Sequence, residues 1–256
     1  MNASDKTPIA LITGGSRGLG RSMALHLAER GVDIIFTFRS GQAEAADVRT
    51  RLIAQGRKAV ALPLDVSDSA TFDAFARTVA GELERTWQRQ RFDYMINNAG
   101  TSLHASIVET TAAQLDEIFS AHFKGPFLLT QRLLPLIADG GRILNVSSGL
   151  TRFTIPGSAA YAAMKGAVEV LTRYLAKELA ARKITANVIA PGAIETDFSG
   201  GVVRDNPEVN RMVASMTALG RAGLPDDIGA AVAMLLAPES GWLNGQRVEV
   251  SGGMNL

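Results

Sequence analysis

Short apolar runs alternate with longer amphipathic stretches along the whole chain. IALIT (9–13), DIIFTF (33–38), AVALPL (59–64), YMINN (94–98), RILNVS (142–147), ITANVIA (184–190) and RVEVSG (247–252) have the length and composition of strands. Between them, residues 20–30, 43–56, 69–88, 112–138, 158–182 and 225–237 carry a helical pattern. Strands and helices alternating at this spacing make βαβ units and a parallel sheet. The strands are almost continuously apolar, as they are when helices cover both faces of a sheet. The pattern predicts an α/β fold: a single domain over 1–256, doubly wound, with a mostly parallel seven-stranded sheet flanked by helices. One segment departs from it. AIETDFSGGVVRDNPEVN (193–210), with Gly200, Gly201 and Pro207, predicts a long lid or binding loop, taken over about 194–216.

Composition narrows the function classes. With 26 basic and 25 acidic side chains scattered along the chain, nothing points to nucleic acid. The absence of cysteine removes disulfides, thiolate metal sites and cysteine nucleophiles. No histidine–carboxylate group has metal-ligand spacing. The opening MNASDKTPIALITGG lacks the basic start and long apolar core of a signal peptide. The most continuous apolar helix, GAAVAMLLAP (229–238), is about half of the ~20 residues that a membrane span needs. The expected setting is cytoplasmic, without a membrane partner, and the N-x-S matches at Asn2 and Asn145 read as chance.

TGGSRGLGR (13–21) joins the first strand to the first helix. Gly14, Gly18 and Gly20 form G-x-x-x-G-x-G, a variant spacing of the Rossmann fingerprint. Glycines permit the tight turn and close backbone approach, and the helix N-terminus favours a pyrophosphate. Alone, such a cluster is an ordinary βα turn; its place after strand one favours a dinucleotide cradle, with Ser16, Arg17 and Leu19 in the same turn. Strand two ends in FTFRSG, with no carboxylate for a ribose 2′-hydroxyl. Arg39 there, with Arg17 in the glycine turn, can instead pair with a 2′-phosphate. Either arginine singly reads as a solvated surface group; together, with the acid missing, they predict NADP(H).

YAAMK (161–165) sets Tyr161 and Lys165 on one helix face. A phenol of pKa about 10 is a poor base at neutral pH, and a neighbouring ammonium stabilises the phenolate. Alone, Y-x-x-x-K is a surface pair. Here Ser148 stands 13 residues earlier at the end of a strand, where ligands of open α/β sheets bind.

Together these segments resemble the short-chain dehydrogenase/reductase family over essentially the full length. TGGSRGLG, LDV (64–66), NNAG (97–100), SS…YAAMK, APGAIETDF (190–198) and NGQRVEVSGG (244–253) follow its motifs in order. The resemblance implies hydride transfer between nicotinamide and a carbonyl or alcohol substrate. Tyr161 would act as general acid or base, Ser148 would hold the carbonyl oxygen, and Lys165 would also bind the nicotinamide ribose. It implies that Asp65 and Val66 flank the adenine, and that Asn98, Ala99 and Gly100 line the adenosine side. Ile194 and Thr196, after Pro191 and Gly192, would meet the nicotinamide, while Asn97 would pin neighbouring strands. The family's asparagine before strand five is replaced by His122, in HFKGPF. That imidazole either joins the proton relay or fills the space.

Leu103, Leu150, Phe153, Ile155 and Phe198 are candidate apolar pocket walls. Of the other histidines, His104 could border the pocket and His26 sits in the first helix. The pattern is nearest to 3-oxoacyl-acyl-carrier-protein reductases, which makes a 3-oxoacyl thioester one candidate substrate. The basic cluster with which those enzymes dock an acyl carrier protein is missing, and only Arg182 remains for that role. Free ketones, quinones, sugars and steroid-like alcohols stay open. A homotetramer or dimer is implied, built on the helices around strand five and the C-terminal segment. Two other readings are an NADP(H)-sensing regulatory protein that retains the fold, and a structural protein on a bare Rossmann scaffold. They predict erosion of Ser148, Tyr161 or Lys165, or of the glycine turn, and all are present.

Overall fold

β1 (Ile9–Ile12) is the line from which the chain winds twice, first to one side and then to the other. The computed structural model describes residues 7–256, so Asn2 lies outside it. Through α1 (Gly18–Glu29), β2 (Asp33–Phe38), α2 (Gln42–Ala54) and β3 (Ala59–Pro63) the chain builds one half of the sheet. It crosses back through α3 (Phe72–Glu82) to β4 (Phe92–Asn97), beside β1. α4 (Ala112–Phe119) and α5 (Gly125–Leu133) lead to β5 (Ile137–Val146), and α6 (Ala159–Glu178) leads to β6 (Thr185–Pro191). Three helices, α7 (Val202–Asp205), α8 (Pro207–Ser215) and α9 (Pro225–Leu235), precede the edge strand β7 (Arg247–Val250). The strand order is β3-β2-β1-β4-β5-β6-β7, and every pairing is parallel. The order reverses between β1 and β4, which opens a crevice at the carboxyl ends of those strands, where such sheets bind ligands.

Alternation along each strand divides the core in two. Ala10, Ile12, Ile34 and Phe36 face α1 and α9, against Leu27, Ile228 and Val232. Ile9, Leu11 and Ile35 face the other way, against Phe72, Leu129 and Leu133. Each buried Leu, Ile or Phe contributes about 1.5–3 kcal/mol relative to exposure, so both faces hold the sheet rigid beneath the crevice.

Three predicted elements are drawn differently. The helix expected over 112–138 is two helices joined by a π turn, Ser120–Lys124, and it stops at Leu133. Pro135 falls in the next short turn; it has no N–H to give and its ring clashes with a continuing helix. β5 therefore starts early at Ile137, with the register shifting between Phe92 and Tyr94 on its neighbour. The helix expected over 69–88 is a 3₁₀ turn (Ser69–Thr71), α3 and a π turn (Leu83–Trp87). The long loop expected at 193–210 is largely helical. Asn206 caps α8 by accepting from the Glu208 and Val209 amides, and Pro207 occupies its first turn.

Candidate active site

The glycine turn is close-packed at Gly14, Gly15 and Gly20. Gly14 and Gly18 have positive φ (68° and 52°), which glycine adopts without strain. A Cβ on Gly15 would lie 2.6 Å from the Phe36 side chain, and one on Gly20 would lie 2.7 Å from Asn98 Nδ2. Below the turn, Thr13 Oγ1 accepts from the Asn98 and Ala99 amides, each at 3.0 Å. The Asn98 side chain donates to the Thr13 and Gly14 carbonyls at 2.9 and 3.1 Å, so it braces the turn from beneath. α1 begins after Arg17 without a side-chain cap, leaving its first amides facing the crevice. Ser16 is buried, Leu19 packs against the core and Arg17 is exposed. A bare helix N-terminus behind a cradle that any side chain would fill suits a dinucleotide pyrophosphate.

Arg39 follows β2, with Nη1 4.0 Å from Asp65 Oδ2. Asp65 Oδ1 accepts from the Ser67 amide and hydroxyl at 2.9 and 2.7 Å. Burial opposes its ionisation, but the Ser67 hydrogen bonds and the Arg39 charge outweigh it and hold the carboxyl below its usual range. Val66 is buried beside the start of α5. Asn97 donates to Asn145 Oδ1 (2.8 Å) and Thr130 Oγ1 (3.1 Å), tying β4 to β5 and α5. Asn145 is itself buried in β5.

Ser148 leaves β5 with extended backbone, and its Oγ accepts from the Leu150 amide at 3.2 Å. Tyr161 and Lys165 lie in the first two turns of α6, on the face toward that strand end. Lys165 is 5% exposed, and its Nζ donates to the Val146 carbonyl at 2.8 Å and lies 5.5 Å from the Tyr161 ring centre. Burial lowers the Lys165 pKa to about 8. For Tyr161 burial raises the pKa, and the neighbouring Ser148 hydroxyl offsets only part of that. The phenol therefore keeps its proton at neutral pH, and the ammonium donates to the Val146 carbonyl.

His122 projects inward from the π turn and is 2% exposed. Its Nε2 lies 2.7 Å from the Thr101 carbonyl and 3.1 Å from the Thr101 amide nitrogen. Its ring meets that of Tyr161 edge-on. Burial, then the Lys165 charge, push its pKa down to about 3, so the imidazole is neutral at physiological pH. Nδ1 and the neighbouring Thr101 Oγ1 are buried without hydrogen-bond partners among the described residues. Gly100 is packed so closely to this ring that a Cβ there would overlap it.

After β6, the segment past Pro191 and Gly192 turns back over the crevice. Ile194 pairs with Gly223, and Thr196 stands over the glycine turn, where a Cβ on Gly18 would lie 3.6 Å from it. Phe198 faces Tyr161, ring centroids 5.9 Å apart. Arg204 bonds Asp197 and Asp205, and Asn210 donates to Glu195 at 2.7 Å, so the segment is cross-braced. Phe153 lies against Gly149 beneath the Arg152 guanidinium. Leu103 and Leu150 are half-buried and Ile155 is exposed. His104 packs on Gly157 at the approach to α6. His26 is remote, between Glu29 and Asp226. Arg182 is engaged by Asp139 and the Leu134 and Ile137 carbonyls, which occupies the one cation left for carrier docking.

Sequence reading missed Thr13, Thr101, Glu169 and Arg247. Glu169 had a local signal, since it lies four residues after Lys165 and eight after Tyr161 on the same helix face. Among the described residues, no group of three or more His, Asp or Glu side chains could hold a metal ion. No helix there is long and apolar enough to cross a membrane.

A family model described as enoyl-(acyl carrier protein) reductase matches residues 14–255. The chain is 35% identical to tetrahydroxynaphthalene reductase PfmaG of Pestalotiopsis fici, over 96% of this chain and 90% of that one. Among solved structures, the promiscuous reductase LugOII, which catalyses keto-reduction at C1 in lugdunomycin biosynthesis, superposes with a TM-score of 0.92. It is 35% identical, with 97% of this chain and 98% of that chain covered. The angucycline C-6 ketoreductase LanV, solved with NADP, also gives 0.92, at 30% identity and 97% and 95% coverage.

Proposed function

The chain belongs to the short-chain dehydrogenase/reductase family, and from that premise we propose that it is an NADP(H)-dependent ketoreductase. The observation that carries this reading is the placement of Tyr161 over the buried Lys165 on α6, with Ser148 at the adjoining end of β5, at the mouth of the glycine-lined crevice. Gly14, Gly18 and Gly20 and the open end of α1 hold the pyrophosphate; Arg17 and Arg39 take the 2′-phosphate. Asp65, Val66, Ala99 and Gly100 border the adenosine, Asn98 keeps the turn in shape, and Pro191, Gly192, Ile194 and Thr196 border the nicotinamide.

NADPH, when bound, supplies the hydride that reduces the carbonyl carbon. The Ser148 hydroxyl holds the carbonyl oxygen, and Tyr161 gives that oxygen its proton as negative charge develops there. The phenol carries its proton at neutral pH and so has one to give. Lys165, charged below about 8, stabilises the phenolate left behind. His122 stays neutral and shapes the Tyr161 wall while holding Thr101.

The substrate is a free, largely aromatic ketone. Phe198 beside Tyr161, Phe153 past Ser148 and exposed Ile155 give the approach an apolar wall, and the relatives named above include a tetrahydroxynaphthalene reductase and an angucycline ketoreductase. The commitment of Arg182 argues against a carrier-bound thioester. Residues 194–216 act as the lid. Phe119, Phe127, Val170 and Tyr174 are exposed on α4, α5 and α6, and a second copy covering them makes the chain a dimer or tetramer. Sedimentation at micromolar concentration tests the assembly. NADPH consumption with naphthalenone-type ketones, 3-oxoacyl thioesters and simple ketones tests the activity. Turnover of the aromatic ketones, absent in Tyr161→Phe, is expected; tight NADPH binding with no turnover of any carbonyl would favour a regulatory protein instead.

A further inference from the structure

Beneath Ser148 lies a connected set of ionic and hydroxyl groups to which the chemistry above assigns nothing. Glu169, on α6, is only 14% exposed in its side chain. Its Oε1 accepts from Ser147 Oγ at 2.6 Å, from Thr151 Oγ1 at 2.8 Å and from Arg247 Nε at 2.8 Å. Arg247 comes from β7, 78 residues away in sequence. Its Nη2 donates to the Ser148 carbonyl at 3.3 Å and to Thr151 Oγ1 at 3.1 Å. The Thr151 hydroxyl, with one proton, donates either to Glu169 or to the Ser148 carbonyl, 2.9 Å away. Arg247 is held in turn by Glu249 at 2.9 Å, and Glu249 takes both Nε and Nη2 of Arg152 at 2.9 and 2.7 Å. These two arginines keep the Glu249 carboxyl well below its usual range, at about 2.

A half-buried pair of this kind is a poor source of stability, because desolvation offsets much of the attraction. Its geometry is better explained by what it fixes. Tyr161, Lys165 and Glu169 follow one another at intervals of four along α6. Ser147 and Ser148 follow directly on Val146, the last residue of β5. Glu169 therefore ties the catalytic face of α6 to the residue before Ser148, while Arg247 grips the carbonyl of Ser148 itself. We propose that Glu169 and Arg247 are positioning residues that set the Ser148 hydroxyl against the Tyr161 phenol. This rests on the reading of Ser148 and Tyr161 as the pair that handles the proton.

Crystal structures with NADPH, NADPH titrations and carbonyl kinetics of Glu169→Ala, Glu169→Gln and Arg247→Met decide it, with Ser148→Ala as reference. In Glu169→Ala and Arg247→Met the Ser148 Oγ moves by about 1 Å from its wild-type place, and kcat falls by about 10–100-fold, as misplacement of that size does. Affinity for NADPH stays within about twofold, because neither residue touches the glycine turn. Glu169→Gln, which keeps an acceptor for Ser147 and Thr151, recovers part of the loss. An unmoved Ser148 overturns the proposal whatever the kinetics. So does a moved Ser148 with kcat unchanged, or a kcat loss matched by an equal loss of NADPH affinity. If Glu169→Ala does not fold, Glu169→Gln and Arg247→Lys carry the same comparison. Should the wild type reduce no carbonyl, the ketoreductase reading fails on its own, and the crystal position of Ser148 still decides whether the clamp sets it.

Discussion

The imidazole of His122 stands edge-on to the phenol of Tyr161, with ring centroids 5.0 Å apart and planes at 84°. An imidazolium in that position would be buried and would face the Lys165 ammonium, and these two effects hold its pKa near 3. The unfolded chain has no such constraint, so its histidine titrates near 6.5. Protonation at this site is therefore coupled to unfolding.

The sign follows from proton counts. Between about pH 6.5 and 3 the unfolded state binds one more proton at His122 than the native state, so stability falls as pH falls through that window. Between pH 7.5 and 5 this amounts to about 2 kcal/mol. Urea unfolding of the wild type at those two pH values should show that loss, and His122→Asn should lose about 2 kcal/mol less. Equal losses would mean that the imidazole titrates in the native protein as it does in the unfolded chain.

A neutral imidazole also leaves a kinetic trace. The profiles of kcat/KM against pH for wild type and His122→Asn should superimpose between about pH 6 and 8, apart from a constant factor. An inflection near 6.5 in the wild type alone would instead make His122 a proton carrier.

Local rules made much of this arrangement visible in the linear chain, and the rest depends on distance. The Tyr161–Lys165 face follows from helical spacing, and the glycine turn from backbone freedom at Gly14 and Gly18, both of which need only neighbouring residues. All seven strands were legible, six from largely apolar runs and β7 from the β-branched residues of RVEV. The π turn that carries His122 was not, because SAHFK contains no glycine or proline and looks like uninterrupted helix. The stop at Leu133 was signalled by Pro135 but hidden by the apolar run on both sides of it. Asn206-Pro207 was a helix-start signal inside a segment read as loop. The pairing of Glu169 with Arg247 needs β7 brought to the edge of the sheet, and no spacing rule reaches that far.

Cofactor choice should rest on two exposed arginines. Arg39 is only loosely paired with Asp65 and Arg17 is exposed, so both are free to turn to a 2′-phosphate. A charge-assisted hydrogen bond contributes about 1.5–3 kcal/mol, or roughly 10- to 100-fold in affinity. Arg17→Ala/Arg39→Ala should weaken NADPH by at least that factor in a fluorescence titration while leaving NADH within about threefold. A parallel loss for both dinucleotides would place the arginines elsewhere.

Gly20 offers a sharper test of the cradle than any charged residue. A Cβ there would press on the Gly14 carbonyl and come within 2.7 Å of Asn98 Nδ2, the side chain that braces the turn. Neither neighbour can withdraw without breaking the bonds that hold the turn to β4. Overpacking at such a site costs about 1–3 kcal/mol. Gly20→Ala should therefore lose that much stability and about tenfold or more in affinity for NADPH and NADH alike. Gly166→Ala is the control: it lies inside α6, where a Cβ meets nothing within 4 Å, so it should gain about 0.5–1 kcal/mol of helix stability and leave dinucleotide binding unchanged. Unaltered titrations of Gly20→Ala with both dinucleotides would mean that the pyrophosphate does not sit on this turn.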